Sequence, residues 1–178
     1  ELFNWLKTDD EMDGQPIIVI PILNVDGYKA GTRVNSHGVD LNRNCATKDW
    51  SAEFKKAKYN PGPNALSEPE NKFLDKMFKE YPPAIILSFH TWKPMINYNG
   101  DSQDIAEFLN QHNGYPATPD IGYPTPGSLG AYGPEKYDAG VITFECPPFS
   151  DELSLKQIWG ENEIGLKKLF KNRHLITK

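Results

Sequence analysis

Three short apolar runs, each carrying β-branched residues, constrain this chain more than any other feature: PIIVIPIL (16–23), AIILSF (84–89) and GVITFEC (140–146). All are far shorter than the ~20 apolar residues of a membrane span. PIIVIPIL is also too continuous for a strand with one wet face, and it reads as a strand covered on both sides. Around these runs the apolar spacing switches to a helical period. Leu2, Phe3, Trp5 and Leu6 suggest the end of an amphipathic helix. SEPENKFLDKMFKEY (67–81) predicts a second, with Phe73, Leu74, Met77 and Phe78 as its apolar stripe. Ser67 and Glu70 have the spacing of a capping box, and Pro69 falls in the first turn, where its missing N–H costs nothing. Residues 102–112 predict a helix with Ile105, Phe108 and Leu109 inward. Residues 153–172 predict a long closing helix through Leu155, Ile158, Trp159, Leu166, Leu169 and Phe170.

Strands alternating with helices predict one α/β domain over residues 1–178, with a mixed, mostly parallel central sheet and helices on both faces. Two stretches rich in polar and turn-forming residues, 24–66 and 113–134, read as irregular. In such folds the chemistry sits on loops outside the strand ends.

Composition excludes some partners. A formal net charge of −5 argues against nucleic acid, which needs clustered Lys and Arg. The one dense basic stretch, Lys167, Lys168, Lys171 and Arg173, suits the last turns of a helix, where cations complement the macrodipole. Cys45 and Cys146 fit no metal-finger spacing and read as reduced thiols. The chain opens ELFNWLKT, as if inside a helix, which reads as a trimmed sequence.

Three places could carry chemistry. GTRVNSHGVDLNRN (31–44) packs Arg33, Asn42, Arg43 and Asn44 into one loop. Either Asp40 and Arg43 form a local ion pair and the asparagines make turns, or the loop receives an anion such as a substrate carboxylate. Glu145, near the end of an apolar strand, is either paired to an arginine or a general base. His90, just after AIILSF, is a satisfied structural histidine, a general base or a metal ligand.

Taken in order, GVDLNRN, SEPE, ILSFHTW, YPTPGSLGAY and VITFE resemble the carboxypeptidase A-like zinc metallopeptidases, and within them the bacterial murein peptide amidase branch. The resemblance implies roles. His90 would be a zinc ligand, Glu145 the glutamate that activates water, and Arg33 the arginine that steadies the oxyanion. Asn42 and Arg43 would hold the substrate's terminal carboxylate, and Tyr123 would close over it. His37, His112 and His174 match nothing and are left as surface or loop histidines. The family's His-x-x-Glu motif is not found in these 178 residues. One Zn2+ is therefore expected, with two further ligands upstream of residue 1, because a catalytic zinc needs three protein ligands. These residues alone are expected to be inactive.

The implied reaction is hydrolysis of a C-terminal amide bond in a small peptide with a free carboxylate, in this branch the γ-D-glutamyl–meso-diaminopimelate bond of murein peptides. Small residues at Ser128, Leu129, Gly130 and Ala131 would shape the side-chain pocket. The alternatives are a general metallocarboxypeptidase, an amidoacid deacylase of the same architecture, and a metal-free carboxylate-binding relic. Oligomeric state is not legible, and for the compartment the resemblance leans to the cytoplasm.

Overall fold

Two of the three apolar runs meet side by side. In the computed structural model, which describes residues 1–9 and 16–176, β1 (Ile85–Thr91) and β4 (Gly140–Cys146) pair in parallel from Ile85↔Gly140 to Thr91↔Cys146. β2 (Met95–Asn99) runs antiparallel to β4 on its other side, and the two-residue β3 (Ala117–Thr118) pairs in parallel with β2. The order is β1-β4-β2-β3, so the sheet is mixed, with two parallel pairs and one antiparallel junction.

The strand period of two sorts the side chains. Ile142 and Phe144 of β4 and Ile96 of β2 turn into a core closed by α4 (Gln103–Asn113) and α6 (Leu155–Lys171). Ile105, Ala106 and Leu109 of α4 meet Leu166 and Leu169 of α6 there, with Tyr115 beside them. Burying each large side chain contributes roughly 1.5–3 kcal/mol. Gly165 lets the two helices approach: a Cβ at that position would stand 2.9 Å from the His112 Cβ. α6 starts with a capping box, in which Ser154 Oγ accepts from Gln157 N and Gln157 Oε1 accepts from Ser154 N. α1 (Leu2–Thr8) and the short α7 (Arg173–Ile176) complete this compact unit, which comprises Glu1–Pro21, Ala84–Ile121 and Gly140–Lys178. Lys168 and Lys171 do lie in the last turn of α6; the side chain of Arg173 lies outside the described residues.

The second compact unit comprises Ile22–Pro83 and Gly122–Ala139. It holds α2 (Val25–Ala30), α3 (Pro69–Glu80) and α5 (Leu129–Tyr137). α3 presents Asn71, Leu74 and Asp75 to the interior. Asp75 is the hub: Tyr132 and Tyr137 of α5 both donate their hydroxyls to its Oδ1, at 2.5 and 2.6 Å, and Lys79 pairs with its Oδ2.

Several sequence expectations are corrected. Residues 16–23 form no strand. Ile18, Val19, Ile20 and Ile22 are exposed, because a strand is a ladder and no described segment pairs with this one. Ser67 does not cap α3; Glu68 is the N-cap, and Ser67 Oγ instead accepts from Asn44 Nδ2 and donates to Glu68 Oε1. Phe73 and Leu155 point to solvent rather than inward. The irregular stretches are less irregular than expected: 24–66 contains α2, capped by Asn24, and 113–134 contains β3 and the start of α5. The second apolar strand runs on through His90 to Thr91, and His112 is a half-buried residue of α4 rather than of a loop.

Candidate functional site

The first group of candidate residues is set by strand register. His90 of β1 stands opposite Glu145 of β4 in the parallel ladder. Residues paired in register on parallel strands point to the same face, ~4.8 Å apart at the backbone. The adjacent pair Phe89 and Phe144 points to the other face, with ring centroids 5.4 Å apart. Both His90 and Glu145 are half-buried, and Glu145 Oε2 is enclosed. Ser88, two residues earlier on the same strand face, stands with its Oγ 2.9 Å from His90 Nε2 and orients the ring. Cys146 follows Glu145; burial, the Glu145 charge and the Glu161 charge push its thiol up to about 11. Both cysteines are free thiols.

The second group lies wholly in the other unit, and all of it but Tyr123 sits on the loop between α2 and α3. A short 3-10 turn, Leu41–Arg43, is capped by Asp40, whose Oδ1 accepts from Asn42 N at 3.1 Å. The other oxygen of Asp40 pairs with Arg33 Nε at 2.7 Å. The local Asp40–Arg43 ion pair allowed for by the sequence is therefore not the one formed, because Asp40 turns its carboxylate to the arginine seven residues upstream. Arg43 is buried and makes no ion pair among the described residues; its Nη1 donates to the neighbouring Asn42 carbonyl. Burial pulls its guanidinium down from the usual arginine value, Asp40 opposes that, and the like charge of Arg33 adds to it. Asn42 Oδ1 accepts from Leu129 N at the start of α5, 2.8 Å away, which fixes the amide with its NH2 end turned from that bond. Tyr123 is exposed and belongs to the same unit as Arg43.

The loop is held by groups far away in sequence. Gly127 has φ of +72°, and a Cβ there would come within 2.2 Å of the Arg43 carbonyl oxygen, so only glycine lets the two backbones touch. Cys45 N donates to Gly127 O at 3.0 Å beside that contact. Asn44, fully buried, donates to Pro61 O, Asn64 O and Ser67 Oγ. Tyr59, unmarked by any sequence pattern, lies against both arginines, with ring centroid distances of 5.3 Å to Arg33 Cζ and 5.6 Å to Arg43 Cζ.

Arg33, Asn42, Arg43 and Tyr123 thus belong to one unit and His90 and Glu145 to the other. Among the described residues no three His, Cys, Asp or Glu side chains gather as a metal site. His90 alone falls short of the three protein ligands a catalytic zinc needs. His37, left as a surface residue, pairs with the buried Glu68 carboxylate at 2.7 Å while its own side chain stays exposed. No helix among the described residues is long and apolar enough to cross a membrane.

The zinc carboxypeptidase family model matches residues 7–142, more than half of the chain, which includes Arg33, Asn42, Arg43, His90 and Tyr123. Murein peptide amidase A of Escherichia coli K12 is 33% identical over 153 residues, covering 79% of this chain and 62% of the relative. The Vibrio campbellii protein of that description is 30% identical over 150 residues, covering 78% and 60%. The chain spans about three fifths of the length of these relatives. The solved murein-tripeptide amidase of Escherichia coli O157 superposes with a TM-score of 0.65 at 31% identity, over 80% of this chain and 65% of that one. Carboxypeptidase A of Helicoverpa armigera gives a TM-score of 0.74 over 98% of this chain and 56% of that one; at 19% identity it speaks for the fold alone.

Proposed function

Because this chain belongs to the zinc carboxypeptidase family, we propose that it forms part of a peptidase that hydrolyses the amide bond next to a free C-terminal carboxylate. Its substrate would be the γ-D-glutamyl–meso-diaminopimelate bond of murein peptides. The observation that carries the reading is Arg43, a buried guanidinium with no carboxylate partner among the described residues. A buried charge is costly unless paired, and a planar fork of N–H donors suits a carboxylate supplied by a ligand. Asn42, held by Leu129 N–H, adds a neutral donor beside it. The murein substrate is supported by the similarity to two bacterial proteins described as murein peptide amidase A.

The remaining roles are those that membership of the family suggests. Glu145 takes a proton from the attacking water and passes it to the departing amine nitrogen. Arg33 faces the negative charge that develops on the carbonyl oxygen; losing one such donor typically raises a barrier by about 3–4 kcal/mol. Asn42, Arg43 and Tyr123 fix the terminal carboxylate, so that the last amide bond is the one presented. His90 is the one described side chain we assign to zinc. The described residues do not make that site by themselves.

The test uses the full-length protein. Incubation with the tripeptide L-alanyl-γ-D-glutamyl-meso-diaminopimelate and with ordinary peptides, each with free and amidated C-termini, should give release of diaminopimelate from the free form. Arg43→Ala should raise KM for free-carboxylate substrates far more than for amidated ones, and Glu145→Gln should abolish turnover while leaving binding intact. Cleavage of ordinary peptides alone would reject the murein substrate. Equal effects of Arg43→Ala on both substrate forms would reject the carboxylate role.

A further inference from the structure

We propose that Tyr59 is a positioning residue of the carboxylate-binding loop: its ring lies against both Arg33 and Arg43 and holds the two guanidiniums in place without taking up their N–H donors. The inference rests on the reading of Arg43 as the receptor of a substrate carboxylate. Two guanidiniums on one loop repel each other, and among the described residues the one carboxylate that pairs with either is Asp40, which is committed to Arg33 Nε. A second carboxylate would steady Arg43 but would occupy the fork that the ligand needs. An aromatic face avoids that conflict. It attracts a cation through the ring quadrupole and leaves the in-plane donors of the guanidinium open.

The placement of Tyr59 is built rather than incidental. It ends the short turn Ala57–Tyr59, and the next residue is stitched to the arginine loop. Asp40 N donates to Asn60 O at 2.8 Å, and Asn60 Nδ2 donates to Gly38 O at 2.9 Å. The ring is therefore tied to the same backbone that carries Arg33, Asp40 and Arg43. Lys58 also lies against it, with Nζ 5.1 Å from the ring centroid. Arg33, Arg43 and Lys58 against Asp40 leave the group cationic, as a receptor for an anion should be.

The test is equilibrium binding to the full-length protein, by titration calorimetry, of dialanine with a free carboxylate and of its C-terminal amide. Arg43→Ala, Tyr59→Leu and Tyr59→Phe are compared with the parent, and thermal melts check folding; Tyr59→Met replaces the leucine variant where that one does not fold. Tyr59→Leu is expected to weaken the free dipeptide about tenfold, the scale of a desolvated cation–π contact, and to leave the amide unchanged. Tyr59→Phe should restore affinity to within about twofold, because the ring face acts and the hydroxyl does not. Parent-like binding by Tyr59→Leu while Arg43→Ala loses affinity overturns the role of Tyr59 alone. Loss in Tyr59→Phe equal to that in Tyr59→Leu also overturns it. No loss in Arg43→Ala removes the carboxylate reading itself, and the role of Tyr59 with it.

Discussion

Replacing Asp75 by alanine removes the acceptor that joins α3 to α5. Two phenol hydroxyls donate to one oxygen of this carboxylate, and one of them belongs to Tyr132, whose side chain is only 1% exposed. Hydrogen bonds to a charged group contribute about 1.5–3 kcal/mol each, and a buried hydroxyl left without its partner keeps its desolvation cost. The Lys79 pair adds little, because that lysine side chain is 62% exposed and its charge is screened. The expected loss for Asp75→Ala is about 3–5 kcal/mol. With a urea slope of roughly 2 kcal/mol/M, this moves the unfolding midpoint down by about 2 M. Asp75→Asn keeps an accepting oxygen and loses only the charge, so about 1–2 kcal/mol is expected.

Acid adds a second test of the same hub. Burial pushes the Asp75 carboxyl up, but donation from Lys79, Tyr132 and Tyr137 outweighs it and holds the group below the ordinary carboxylate value. A group depressed in the folded state contributes fully above its unfolded pKa of about 3.9, and the contribution disappears as pH falls through the folded value. The advantage of the parent over Asp75→Asn should therefore be constant from neutral pH to about 4 and narrow only below it. Urea unfolding followed by circular dichroism on the full-length protein measures both effects. An Asp75→Ala midpoint within about 0.5 M of the parent would refute the reasoning, because the phenols would then have found other partners.

Gly127→Ala forces a Cβ against the Arg43 carbonyl at a positive φ; a loss of about 2 kcal/mol or more is expected in the same unfolding assay, together with weaker binding of a free-carboxylate dipeptide. Cys45, buried and pushed up to about 12 by desolvation, should react with a disulfide reagent at pH 8 at least about tenfold more slowly in the folded protein than in urea; equal rates would place the thiol outside the core. Leu169→Ala, at a fully buried position of α6 in the core it shares with α4, should cost about 2–5 kcal/mol, and a cost under ~1 kcal/mol would mean that the core there collapses around the gap.

Much of the frame was legible in the chain. The helical period at 2–6, 102–112 and 153–172 became α1, α4 and α6, and the two apolar runs at 84–89 and 140–146 became the parallel pair β1 and β4. These patterns are local: a period of 3.6 or 2 fixes which face is apolar whatever lies opposite. The pairing of His90 with Glu145 was not local. It depends on the register of two strands 55 residues apart in the numbering, Ser88 with Thr143 through Thr91 with Cys146.

One short motif marks the boundary between the two kinds of information. Serine followed three residues later by Glu or Gln occurs at Ser67 and at Ser154. At Ser154 it makes the reciprocal cap, and among the described residues the serine side chain engages only Gln157. At Ser67 the hydroxyl is taken by Asn44 Nδ2 and Glu68 Oε1, and Glu70 faces Asn35 instead of reaching back. The same division separates Asp40 from Arg43 and joins it to Arg33, and it leaves PIIVIPIL without a ladder. Sequence by itself determined where helices and strands can begin and which faces are greasy. Tertiary structure decided which polar group each side chain meets, because hydrogen-bonding partners arrive from distant parts of the chain and a donor or acceptor goes to whichever is held nearest.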